Sequence, residues 1–202
     1  MIKFNMMLTL VDEMLGTKPD NDNVFADYVA SKHPSGTPQR DELDNAEHIE
    51  SAGTTVFHRD ASGKPAIYDY QMKGFCKDAC GALRRADGTL SKELKAYKSV
   101  IDGCVFFSPR IITLQLPLGA QPGICERPLR IDGPMGPRVA LARSETVPAG
   151  TILETEVTLL AANLKPVLLE WFKYGEFRGP GQWRNSGKGR FTFVVKEQPA
   201  TA

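Results

Sequence analysis

Apolar and polar residues alternate most cleanly at three places in the chain. In "IKFNMMLTL" (residues 2–10) Phe4, Met6 and Leu8 fall on one side, and "TILETEVTLLA" (151–161) alternates along its length. Both predict half-buried strands. "RFTFVV" (190–195) predicts a closing strand. "TTVFHRDASGKPAIYDYQ" predicts a hairpin in which Thr54 to His58 turns through "DASGKP" and returns over Ile67 to Tyr70. The period lengthens to that of a helix in "MKGFCKDACGALRR" (72–85). There Phe75, Ala79, Ala82 and Leu83 form an apolar stripe, and Lys73, Lys77 and Arg84 share another side. "LKPVLLEWFKYGEF" (164–177) predicts a second amphipathic helix, with Leu168, Leu169 and Phe172 inward and Gly175 near its end. Between residues 91 and 117 a short helical or irregular piece precedes strands around Val105 and from Ile111 to Leu116.

Two stretches break the periodicity. Residues 16–53 are polar and punctuated by Pro, Gly and Asn, which predicts a surface insertion carrying short helices at Asn23–Ser31 and Asp41–Ser51. Residues 119–150 are rich in Pro, Gly and Arg and predict a long loop with one strand at Val139–Arg143. The order of elements suits a single α+β domain over residues 1–202. Its economical form is a ferredoxin-like or RRM-like antiparallel sheet with helices on one face, an inserted helical segment and long loops.

Composition narrows the chemistry only slightly. With 202 residues, 42% hydrophobic and 24% charged, the chain is long enough for a real core and ordinary for a globular protein. A net charge of +1 gives no global pull toward nucleic acid, so any such affinity needs local clustering. No apolar run approaches the roughly 18 residues a membrane span requires. The first residues also lack a small-residue cleavage site, so neither a signal peptide nor a membrane partner is expected and the location is read as cytoplasmic. Cys76, Cys80, Cys104 and Cys125 form no CxxC pair, and His33, His48 and His58 lie away from them. Reduced, apolar-like cysteines without metal or cofactor are the expectation.

The local clustering exists. "GEFRGPGQWRNSGKGRF" (175–191) sets Gly175, Gly179, Gly181, Gly187 and Gly189 among Arg178, Arg184, Lys188, Arg190 and Trp183. It is not a P-loop: five residues separate Gly181 from Gly187, Gly189 stands where Ser or Thr should bind Mg²⁺, and the loop runs from helix to strand. "HRD" at His58–Asp60 has no accompanying kinase motifs. Two readings of the glycine loop stay open. In one it is an elaborate turn, with Trp183 plugging the core and the arginines solvated. In the other the backbone at Gly179, Gly181, Gly187 and Gly189 approaches phosphates, the cations supply charge, and Trp183 or Phe191 stacks on a base. Phe191 and Phe193 touch the RNP strand pattern only weakly and read better as core. Two further basic clusters could join that loop. One is the Lys73, Lys77, Arg84 face of the first helix, where Gly74 would allow close backbone approach. The other is Arg127, Arg130, Arg138 and Arg143 in the 119–150 loop.

A strand leading into "KG…LR" (Lys73-Gly74, Leu83-Arg84), the order of elements and a C-terminal glycine-rich loop together resemble the RAMP superfamily of CRISPR-associated RNA-binding proteins, which includes Cas5, Cas6 and Cas7. The resemblance implies single-strand or RNA binding by Lys73, Lys77, Arg84, Arg184 and Lys188. The chain is short for a backbone-forming Cas7, and no histidine is placed as in a Cas6 nuclease. Most of the chain also resembles small bacteriophage proteins with "MKGFCKDAC"-like and "GQWRNSGKGRF"-like segments, which implies a phage-infected bacterial host but no activity. The leading expectation is a non-catalytic binder of single-stranded RNA, or less readily DNA. One alternative is an interaction module that copies a Cas7-like surface and engages host defence-complex subunits or its own copies. The others are a metal-independent ribonuclease using His58 as general base with support from a lysine or from Tyr68 or Tyr70, and a nucleotide or second-messenger binder.

Overall fold

The computed structural model describes residues 1–20, 54–133 and 136–196, with residues 129–133 and 136–140 described by backbone alone. Strand β1 (Ile2–Leu10) is followed by the two-residue strands β2 (Met14–Leu15) and β3 (Lys18–Pro19). Next come β4 (Thr54–Val56), β5 (His58–Arg59) and β6 (Pro65–Tyr68), which runs straight into helix α1 (Asp69–Leu83). Two short helices, α2 (Leu90–Glu93) and α3 (Tyr97–Cys104), lead to β7 (Val105–Ser108) and β8 (Ile111–Gln115). The chain then forms β9 (Gly123–Gly133), β10 (Gly136–Val147), β11 (Ile152–Leu159), α4 (Leu164–Tyr174) and β12 (Phe191–Lys196).

The central sheet is antiparallel, in the order β12–β1–β11–β8–β6–β5. Strands β7 and β8 share one edge of β11: Val105 to Ser108 face Leu159 to Glu156, then Leu114 and Gln115 face Leu153 and Ile152. Taking that pair as one broken strand, β1–α1–β7/β8–β11–α4–β12 is a ferredoxin-like βαββαβ unit with its helices on one face. Alternation in β1 sends Phe4, Met6, Leu8 and Leu10 to the helix side, where they join Phe75, Cys76, Ala79 and Cys80 of α1 and Leu168, Trp171 and Phe172 of α4. Phe172 sits at the centre of an aromatic cluster, with edge-on rings of Phe75, Phe191 and Phe193 at 5.6–5.8 Å. Each such pair adds about 1 kcal/mol to the area it buries. Trp171, not Leu169, is the inward residue of α4: it is fully buried, and its Nε1 donates to Ser91 Oγ at 2.9 Å.

The strands differ from the sequence expectations at three places. The strand expected from Thr54 to His58 breaks at Phe57, whose N–H donates to Glu145 Oε2 at 2.9 Å. The chain thereby changes sheets, with β4 pairing parallel to β10 and β5 antiparallel to β6. The return strand stops at Tyr68 rather than Tyr70, because Gln71 Oε1 accepts the Tyr68 N–H at 2.8 Å and starts α1 early. Most of the long loop expected at 119–150 is a β-hairpin, in register from Gly123↔Thr146 to Gly133↔Gly136. Pro128 masks it in sequence, yet among the described residues β9 pairs only with β10, and a free edge is where proline is tolerated. The helices expected at 23–31 and 41–51 lie outside the described residues. Among those described, no helix is long and apolar enough to cross a membrane.

Candidate nucleic-acid interface

Helix α1 buries one stripe and leaves another nearly bare. Gly74, Lys77, Asp78, Gly81, Ala82 and Arg85 follow one another at helical spacing and form one wall of a cleft of about 560 Å³. Tyr97 and Lys98 of α3 close one side, and Tyr174, Arg178 and Arg184 close the other. Gly81 allows the Tyr97 ring in, since a Cβ there would lie 3.1 Å from the Tyr97 hydroxyl. At Gly74 a Cβ would meet nothing within 4 Å, so this glycine leaves the cleft wall open and makes no packing contact of its own. Five cations, Lys77, Arg85, Lys98, Arg178 and Arg184, line the cleft against one carboxylate, Asp78. That carboxylate gathers two of them, with Asp78 Oδ2 at 2.9 Å from Arg178 Nε and 3.2 Å from Arg184 Nη1. Asp102 takes Lys77 at 2.6 Å, so two carboxylates face five cations and the cluster stays cationic.

The glycine loop reaches this position because its base is locked. A Cβ at Gly175 would sit 2.3 Å from the Phe191 ring, so the end of α4 must be glycine for that ring to enter the core. At Gly179 it would sit 1.6 Å from the Gly189 carbonyl oxygen, where the two limbs of the loop cross backbone to backbone. Gly189 and Gly181 adopt φ of +75° and +94°, and both pack against the β2 segment at Met14. The close approach these three glycines make is therefore to the protein's own chain. Lys188 and Arg190 pin the same base: Lys188 Nζ lies 2.7 Å from Glu13 and 3.3 Å from Asp12, and Arg190 Nη2 lies 3.3 Å from Asp12. The Glu13 hydrogen bond and the neighbouring charges raise the Lys188 pKa, against burial that lowers it. Burial pushes Asp12 upward, but bonds from Lys188, the Glu13 N–H and Arg190 outweigh it and hold Asp12 below its ordinary value.

At the tip of the loop Trp183 takes φ +52° and stays 43% exposed. Its indole rests on the Arg127 guanidinium of β9, 5.4 Å from ring centroid to guanidinium carbon. Arg127 is only 7% exposed and donates to Ser144 Oγ and Gln182 Oε1, both at 2.9 Å. The hairpin is thereby fastened to the glycine loop.

The residues singled out in the sequence thus divide into groups. Lys77, Arg178 and Arg184 meet with Gly74 at the cleft, and Arg84 lies at its rim, 5.1 Å over the Tyr97 ring. Arg127 and Trp183 form a second contact beside them through Gln182 and Arg184, their neighbours in the chain. Lys73 turns away, donating to the Asp102 carbonyl at 3.0 Å and lying 4.3 Å over Phe106. Lys77 also pairs with Asp102 at 2.6 Å, and Arg143 pairs with Glu126 at 2.7 Å within the hairpin. Lys188 and Arg190 serve the loop base, while Gly187, at φ +83°, turns the chain against Arg190. Phe191 is wholly buried and offers no stacking face. Arg130 and Arg138 are paired by backbone opposite Val139 and Ile131, and their side chains lie outside the described residues. The sequence reading missed Arg85, Tyr97, Lys98 and Tyr174. The signal for Arg85 was present, because Gly74, Asp78, Gly81 and Arg85 repeat at helical spacing.

His58, the base a ribonuclease would use, packs edge-on against Tyr68 at 4.5 Å and is not among the residues lining the cleft. Burial, with a smaller contribution from Lys18, lowers its pKa and favours the neutral ring. Cys76 and Cys80 are free and buried, and burial pushes both thiols above their ordinary value.

No family model and no curated protein matches the sequence. Solved structures do share the fold. A chain in the cryo-EM structure of the type III-B Cmr-beta bound to cognate target RNA superposes with a TM-score of 0.57 at 12% identity. The match covers 97% of this chain and 61% of that one, so this chain spans about three fifths of the neighbour's length. A chain of a type IV-B CRISPR complex gives a TM-score of 0.47 at 15% identity, covering 100% of this chain and 92% of the other. At 12% identity the likeness to the first of these is one of fold alone.

Proposed function

We propose that this chain is a non-catalytic RNA-binding subunit that holds single-stranded RNA, in preference to DNA, across the cleft between α1, α3 and the glycine loop. The observation that carries the proposal is the convergence of Lys77, Arg85, Lys98, Arg178 and Arg184 on one concave surface, where Asp78 and the Asp102 partner of Lys77 offset only part of their charge. Polyphosphate chains are held by such fields, because each neutralised phosphate releases a counterion. Two tyrosines on facing sides of the cleft, Tyr97 and Tyr174, supply the flat surfaces that unpaired bases use. Similarity of fold to a protein whose structure was determined with target RNA supports the choice of RNA.

The test is anisotropy of a labelled single-stranded RNA, with matched DNA and duplex controls, across a salt series. Two carboxylates offset part of the charge of the five cations, so about three phosphates should be neutralised and log affinity should fall against log salt with a slope of about −2. The RNA should remain intact. Absent or salt-insensitive binding overturns the proposal, and strand cleavage that depends on His58 would make the chain a nuclease. One observation favours a second reading, a protein-interaction module: Phe177, 73% exposed, stands next to Arg178. A partner subunit captured through Phe177 with no RNA affinity would establish that reading instead.

A further inference from the structure

Trp183 and Arg127 combine three features that are unfavourable on their own. A bulky residue rarely takes a positive φ, yet Trp183 is held at +52°. A large indole gains by burial, yet 43% of Trp183 is exposed while Trp171 is wholly buried. A guanidinium taken out of water normally finds a carboxylate, yet among the described residues Arg127 donates only to the neutral oxygens of Ser144 and Gln182. Its remaining compensation is the π face of Trp183.

The geometry points to a nucleobase-stacking platform in which Trp183 receives one unpaired base, purine in preference to pyrimidine, with Arg127 backing the ring from beneath. This rests on the RNA-binding reading and specifies how one nucleotide is held. Arg127 occupies one indole face, so the open area belongs to the opposite face and the ring edge. A cation under one face draws π density toward itself and leaves the opposite face poorer in electrons. Such a face is poor for a second Lys or Arg and good for an electron-rich ring, and larger rings overlap it better. The left-handed backbone at Trp183 lifts the indole at the tip of a locked loop. The next residue, Arg184, stands in the cationic cleft, where the flanking phosphates would lie.

The protein contains two tryptophans, and one of them is sealed in the core, so the acrylamide-accessible part of its emission reports on Trp183. Titration of the unmodified chain with oligoadenylate should quench that emission and shield it from acrylamide. Oligouridylate should quench less, and a ribose-phosphate oligomer with a single abasic position opposite the platform should bind about tenfold more weakly without quenching. Trp183→Leu should lose the same factor, and Trp183→Phe should recover most of it. RNA that binds with unchanged emission, and equally well with or without bases, overturns the platform while leaving the RNA reading intact. No binding of any oligonucleotide overturns both. Shielding of Trp183 by a protein partner but not by RNA assigns the ring to that partner and overturns the platform.

Discussion

The two faces of the ferredoxin-like sheet carry opposite instructions for a polyanion. On the helix side, five cations meet two carboxylates, Asp78 and the Asp102 that takes Lys77, around a wall thinned by Gly74 and Gly81. On the open side, a depression of similar volume is lined by Asn5, Met7, Ser108, Glu154, Glu156 and Lys196. Its lysines are answered across strands: Lys196 lies 3.4 Å from Glu154, and Lys3 lies 3.3 Å from Glu156. The residues of β1 and β12 that alternate away from the core there include no aromatic ring. An RRM uses its open sheet face, with aromatics on the central strands, to stack bases. Here the central strands β1 and β11 carry one aromatic ring, Phe4, which points inward, as do Phe191 and Phe193 of the edge strand β12. The fold therefore leaves the choice of face open, and the proposed function rests on the placement of charge and glycine.

The strongest way to break this comparison is to reverse charge on one face at a time. Arg85→Glu with Lys98→Glu changes two exposed residues of the cleft and should weaken RNA binding about 100-fold at low salt, with a shallower salt slope. Lys3→Glu with Lys196→Glu on the open face should change it less than about threefold. Equal losses in anisotropy titrations would erase the distinction.

The next effect concerns stability and separates two kinds of glycine. Gly179→Ala forces backbone against backbone and should cost about 3 kcal/mol, lowering Tm by about 9 °C. Gly74→Ala meets open space in a helix interior and should stabilise by about 0.5–1 kcal/mol. A bulkier Gly74→Leu narrows the cleft and should cut RNA affinity about tenfold without lowering Tm. Unchanged affinity would place the RNA elsewhere.

The smallest effect is a titration. Asp12 is held below its ordinary value when folded, so the folded chain binds fewer protons than the unfolded one as acid is added. The stability this supplies is complete above the unfolded value and is lost as pH falls through the folded one. Asp12→Asn should therefore flatten the decline of Tm between about pH 5 and about pH 3. The difference should be below about 1 kcal/mol because the pair is partly solvated. The same substitution should leave RNA affinity near neutral pH unchanged, which separates the loop base from the cleft.

Much of the architecture was legible from local pattern. Alternation in residues 2–10 and 151–161 gives the two central strands, and the helical stripe of "MKGFCKDACGALRR" gives α1, because both depend on neighbours within a few residues. The β9–β10 hairpin was not legible: its prolines and glycines read as loop, and only a free strand edge makes them acceptable. Leu169 and Trp171 are equally plausible inward residues by period, and Ser91, eighty positions away, decides for Trp171 by accepting its N–H.

The amino-acid order by itself determined which segments carry cations, glycines and a lone exposed-loop tryptophan. It could not determine which cations remain available, since that depends on where carboxylates arrive from distant parts of the chain. Asp78 comes to Arg178 and Arg184 across about a hundred residues, and Asp12 and Glu13 come to Lys188 across more. Charge pairing falls off with distance in space and is blind to separation in sequence. For that reason only the folded chain divides the glycine loop into an anchored base and a cationic rim.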